Sequence, residues 1–164
     1  MTPARRHGDT SELADRLPGL RDLSAFLQGS WRVERSVLDR SRGLSGGFNG
    51  SIDFSPADGG LHYRETGLLS WSGSIAPATR EYFLRRTGDP AGLDWHFVDP
   101  DGSPSYFFHR MDLRTGSWQT EHPCSADLYR VDYAVADQNT LSAVWDVSGP
   151  SKDQLLSSSW HRLG

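Results

Sequence analysis

The feature that most constrains this chain is how often it turns. After residue 29, brief runs rich in β-branched and aromatic residues are cut by turn chemistry at Ser45-Gly46-Gly47, Pro56 to Gly60, Gly88-Asp89-Pro90, Asp99 to Gly102, Arg114-Thr115-Gly116 and Asp137-Gln138-Asn139. Extended runs fall at 31–38, 47–54, 61–65, 68–72, 79–86, 93–98, 105–111, 117–120, 126–134, 140–147 and 155–162. None of the connections has room for a crossover helix, so sequential neighbours pair antiparallel. About ten such strands must also hide their edges. A barrel does this by closing, whereas a sandwich calls for longer Greek-key connections. The expected fold is all-β, a closed antiparallel up-and-down β-barrel.

Ahead of the strands, Leu20, Leu23, Phe26 and Leu27 recur at helical spacing and Gly29 follows as a stop, which predicts one short N-terminal helix over 18–28. Residues 1–17 are polar with mixed charge and no sustained period; they are expected to be a flexible lead-in to a barrel domain over 18–164. The 164 residues suit one domain, and six Trp, five Tyr and seven Phe supply the buried area that a modest 36% apolar content would not. The net charge of −4 and the scattered arginines argue against a nucleic-acid partner. No stretch has the length and apolarity of a membrane span, the first residues lack a secretory apolar core, and a single cysteine forms no intrachain disulfide; a cytoplasmic protein is expected.

Gly29-Ser30-Trp31 opens the first strand and Trp160-His161-Arg162 closes the last. This resembles the lipocalin and calycin pattern, in which an arginine of the last strand packs over a Trp of the first. Such stacking makes chemical sense, since a guanidinium on an indole face gains cation–π attraction and plugs one barrel end. Over residues 26–162 the chain also resembles an uncharacterised family of short cytoplasmic lipocalin-like bacterial domains. The residues carrying that likeness are Phe26, Leu27, Gly29, Trp31 and Arg35; Tyr63, Glu65 and Gly67; Arg80 and Tyr82; His109; His122, Cys124, Asp127 and Tyr129; and Trp145, Val147, Gly149, Pro150, Lys152 and Asp153. The resemblance implies a fold and a polar constellation, and no particular reaction.

The densest polar cluster runs from Glu121 to Tyr129. His122 can act as acid or base, Asp127 can orient it, Tyr129 can donate a proton, and Cys124 is a nucleophile if a neighbour lowers its pKa. The competing explanation is a polar corner between two strands. In one unbroken strand His122 and Cys124 would face away from Asp127 and Tyr129; a turn through 123–126 would reset the phase, and Pro123 speaks against an unbroken inner strand. Tyr63 and Glu65 share a face with Leu61, and an inward Glu65 needs a partner, for which Arg80 is the expected residue with Tyr82 beside it. The alternative is a surface Glu–Arg pair. In the run 106–110 the inner face is either Phe107 with His109 or Tyr106, Phe108 and Arg110; His109 reads as a wall residue or, less readily, a haem ligand. Trp145 is expected in the cavity wall or against the helix. His122 and Cys124 with His109 or Asp127 lack the spacing of a metal site, and Gly149-Pro150 with Lys152 reads as a hairpin turn rather than a phosphate loop.

These residues support two functions of different classes. The first is a binding module whose cavity holds a small, largely apolar or aromatic molecule, fixed at its polar end by Tyr63, Glu65, Arg80, Tyr82, His109, His122, Cys124, Asp127, Tyr129 and Trp145. The second is a cofactor-free enzyme on the same barrel, a cyclase, isomerase or dehydratase in which His122, Asp127 or Tyr129 moves a proton. A haem barrel is a third, lower reading. The expected partner is a small molecule, with no cofactor, metal, nucleic acid or membrane, and a homodimer is compatible with the sequence.

Overall fold

The structure, a computed structural model, describes residues 17–164. All of the expected lead-in except Leu17 lies outside the described residues. The single helix expected over 18–28 is two pieces: a 3-10 turn, Pro18–Arg21, and a short helix α1, Leu23–Leu27. Asp22 divides them. Its backbone is extended, and its side chain accepts from the backbone N of Ala25, so it caps α1 instead of continuing the turn.

Ten strands follow: β1 (Gly29–Asp39), β2 (Leu44–Ala57), β3 (Gly60–Trp71), β4 (Ser74–Arg86), β5 (Gly92–Val98), β6 (Pro104–Asp112), β7 (Ser117–Cys124), β8 (Asp127–Asp137), β9 (Thr140–Ser148) and β10 (Asp153–Arg162). The eleven extended runs become ten because 61–65 and 68–72 are one strand, β3. Gly67 does not break it. Gly67 pairs with Gly50 across the β2–β3 ladder, and a Cβ at Gly67 would come within 2.7 Å of the Gly50 Cα, so the residue marks close backbone approach and not a turn.

The sheet order is β6-β5-β4-β3-β2-β1-β10-β9-β8-β7, every neighbouring pair antiparallel. Sequential strands pair throughout except at β6–β7. The first and last strands join, Trp31 opposite Arg162. Opposite that join, β6 and β7 approach without a ladder, though the Trp118 indole donates to the Arg110 carbonyl at 2.7 Å across the gap. The result is a nearly closed, up-and-down, lipocalin-like barrel.

Its two ends differ. At one end Leu20, Leu23 and Leu27 are wholly buried, and α1 is tied to the barrel by the Trp31 indole donating to the Leu27 carbonyl at 2.9 Å. The Arg162 guanidinium lies 4.2 Å from the Trp31 ring centre and 5.2 Å from that of Phe26, and donates to the Phe26 and Gln138 carbonyls. That end is plugged, as the Trp–Arg pattern predicts. The chain turns at the other end between β7 and β8 and between β9 and β10, and there the interior opens. Among the described residues no helix is long and apolar enough to cross a membrane.

Candidate functional site

Alternation along each strand sends every second side chain inward, and inside a cylinder those side chains converge. They do not fill it. A cavity of about 430 Å³ remains, walled by the aromatic residues Tyr63, Tyr82, Trp95, Phe97, Phe108, Tyr129, Tyr133, Trp145 and Trp160. Around its open end stand Arg80, His122, Cys124, Lys152 and Gln154, and Arg35 lines it from within the wall. Phe97 and Phe108 stack with ring centres 4.5 Å apart, and Trp145 lies 5.2 Å from Phe108.

The best-organised polar group is in the wall. Glu65 is buried, as expected of an inward residue on the face of Leu61 and Tyr63. Its partner is Arg35, not Arg80. Arg35 donates from both terminal nitrogens to the two carboxylate oxygens, at 2.9 and 2.6 Å, and from Nε to the Ser158 hydroxyl at 2.7 Å. Tyr63 donates to the same carboxylate at 2.7 Å. Arg80 is the cross-strand neighbour of Glu65 but its side chain runs to the exposed rim, whereas Arg35 sits on β1 with Trp31 and Val33 and points across the interior. Burial disfavours the Glu65 carboxylate, but the Arg35 hydrogen bonds and charge outweigh it and hold its pKa below the ordinary range. Burial and the nearby carboxylate push the Tyr63 hydroxyl well above its ordinary value, so it remains a donor.

The β7–β8 hairpin resolves the phase of the polar cluster. A two-residue turn, with Ser125 at φ 56°, places His122 opposite Tyr129 and Cys124 opposite Asp127. All four therefore lie on one face. Pro123 is tolerated inside a strand because β7 is an edge strand. His122, Cys124 and Tyr129 reach the cavity; Asp127 does not. Its carboxylate occupies the place a Cβ at Gly149 would take, and one of its oxygens, Oδ1, has no hydrogen-bond partner among the described residues. Lys152, the only lysine, donates to the Tyr129 hydroxyl at 2.9 Å and stands 3.9 Å from the other Asp127 oxygen.

In β6 neither expected face is correct. Register shifts between Trp95 and His96, and again before Val98, leave Phe108 and His109 both buried while Tyr106 and Phe107 face solvent. His109 lies behind the cavity wall, stacked on Trp95 and Tyr133, its Nε2 sharing a 2.9 Å hydrogen bond with the Tyr133 hydroxyl. Burial, helped slightly by His122, pushes its pKa down to about 3. Of the residues expected to contact ligand, Tyr63, Arg80, Tyr82, His122, Cys124, Tyr129 and Trp145 line the cavity, while Glu65, His109 and Asp127 stand behind it. Arg35, part of the family likeness, is absent from the expected ligand contacts, although the alternation that turns Trp31 and Val33 inward turns Arg35 inward too. Lys152 is expected as a turn residue, and only the hairpin geometry puts it at the rim. Among the described residues no group of three His, Cys, Asp or Glu is placed to hold a metal ion.

Plugged at one end and hollow behind an open rim, the molecule is a calycin-like barrel. Within that class the chain belongs to DUF6314, a family of unknown function, whose model matches residues 27–162. No curated protein matches the chain. Among solved structures it is similar to the S-type phycobiliprotein lyase CPES from Guillardia theta (11% identity over 88% of this chain and 93% of that one, TM-score 0.56). It is similar too to Rv2717c from M. tuberculosis (15% identity, 90% and 98% covered, TM-score 0.53). A protein of unknown function from the DUF3598 family of Nostoc punctiforme matches at 12% identity, with 84% of this chain and 48% of that one covered and a TM-score of 0.52. At such identities the likeness speaks for the barrel alone.

Proposed function

We propose that this protein binds one small, largely apolar or aromatic molecule inside the barrel, with Tyr63, Arg80, Tyr82, His122 and Tyr129 meeting its polar end. One observation carries the reading: a hollow of about 430 Å³, aromatic on its walls, polar at its rim and plugged at its far end. Ligand sites fall at about 300–1,000 Å³ and combine apolar walls with a few polar anchors. An enzyme on the same barrel would need His122 or Tyr129 to move a proton. The His122 ring packs edge-on against Phe108, 5.1 Å between centres, and Asp127 points to Gly149, so no carboxylate is set beside the imidazole to assist proton transfer, and the binding reading has the better support. A haem barrel would have to use His122, because His109 stands behind the cavity wall and does not line the hollow.

The test is to fill the hollow. Ala143 is a buried wall residue, and Ala143→Phe places a ring in the cavity. Titration of the wild-type protein with the neutral fluorophore N-phenylnaphthylamine should saturate at one per chain and quench tryptophan emission. Ala143→Phe, or Val147→Phe from the same wall if the first fails to fold, should abolish the saturable signal. Equal binding by a folded cavity-filled variant would overturn the proposal.

A further inference from the structure

The charges around the cavity do not balance. Three cations line it, Arg35, Arg80 and Lys152, and the lining itself contains no carboxylate. Two carboxylates stand just behind. Glu65 is spent: both of its oxygens accept from Arg35 and one also from Tyr63. Asp127 stands 3.9 Å from Lys152. Arg80 is left over. Its charge reaches Glu65 through space, but no carboxylate among the described residues forms an ion pair with it. The wall also holds spare donors. Trp95 and Trp160 are each 3% exposed and line the cavity, yet neither indole N–H has an acceptor among the described residues. The apolar part of the wall is equally particular: Tyr82, Trp95, Phe97, Phe108 and Trp145 form a chain of ring contacts with centres 4.5–5.9 Å apart.

We propose that the ligand is a planar aromatic monoanion, its anionic group seated on Arg80 and its ring system held among the aromatic side chains. This rests on the binding reading above and adds the charge and shape of the ligand to it. A neutral aromatic would fill the hollow but leave Arg80 unmatched. A cation would meet Arg80 and Lys152 as like charges. A carboxylate or sulfonate accepts charge-assisted hydrogen bonds from the guanidinium, and the rings stack in the preferred offset or tilted arrangements. Because Arg80 is at the exposed rim, its pull on the anion is screened by salt.

Three probes that share one ring system separate the outcomes: naphthoate, naphthamide and naphthylmethylammonium, each titrated by calorimetry. Naphthoate should bind about tenfold more tightly than naphthamide, the ammonium should bind weakest, and raising the ionic strength should shrink the difference. Arg80→Gln, at an exposed position that the core does not need, should bring naphthoate and naphthamide within about twofold; Arg80→Lys should restore much of the preference. If naphthamide binds as well as naphthoate, the anionic ligand is wrong while the cavity reading stands; if the preference survives Arg80→Gln, Arg80 is not the seat of the anion and the proposal is overturned. If none of the three binds, both fall.

Discussion

A buried ion pair such as Arg35 with Glu65 adds little stability for its burial and becomes expensive when broken. The side chains are 11% and 4% exposed, so removing one partner strands a charge in the wall. Arg35→Met or Glu65→Leu alone should therefore cost about 3 kcal/mol, and the double variant much less than the sum, as read from urea unfolding. Single losses under about 1 kcal/mol would mean the pair behaves like a surface bridge. His109 gives a second prediction. Its pKa is about 3 in the folded protein against 6.5 ordinarily. Between those values the unfolded chain holds a proton that the folded chain does not. Stability should then be flat above 6.5 and fall as the pH drops toward 3, by up to about 1.4 kcal/mol per pH unit. Glu65, whose folded pKa is depressed, also loses stability on the acid side, but at lower pH and through a different group. His109→Phe should remove only the histidine component, so its unfolding free energy plotted against pH should be shallower than wild type between the two values. Parallel curves would show that the ring protonates in place.

The seam between β6 and β7 is where the sheet is weakest as an element, because both strands carry unpaired backbone groups there. In native-state hydrogen exchange their outer amides should exchange first and those of β1, β2 and β10 last; uniform protection would place a ladder across the gap. The same two strands show where the sequence stops being legible. The turn chemistry and the Trp31–Arg162 pairing sufficed for ten antiparallel strands with one plugged end, because those signals are local or chemically specific. What period-two reasoning cannot see is a change of phase. The bulge that turns both Phe108 and His109 inward depends on how β6 registers against β5, and the hairpin that unites His122 with Tyr129 depends on Ser125 adopting a positive φ. Glu65 was legible as an inward residue, and its partner was not. A cross-strand neighbour such as Arg80 is visible in sequence spacing, whereas Arg35 stands two strands away, beyond β2, and its long side chain reaches Glu65 over that strand.

Over the whole molecule, what holds the barrel together and what is proposed to bind are set at opposite ends. The plugged end combines α1, Trp31 and Arg162, and the Arg162 guanidinium is half of what closes it, through two carbonyls and two aromatic faces. The open end carries Arg80, His122 and Lys152. Trp160 belongs to both ends, because it lines the cavity two residues from Arg162 on β10. If the ends are mechanically independent, Arg162→Met should lower stability by about 2 kcal/mol, from lost hydrogen bonds and cation–π contact, while leaving the affinity for naphthoate unchanged well below the melting temperature. Arg80→Gln should do the reverse, weakening naphthoate while leaving the melting temperature of the ligand-free protein close to wild type, since an exposed side chain without an ion pair contributes little to the fold. Thermal melts and titrations on both variants decide it. Should Arg162→Met weaken binding in proportion to the lost stability, Trp160 transmits the state of the plug to the cavity, and the barrel acts as one device rather than as a scaffold with a site at its mouth.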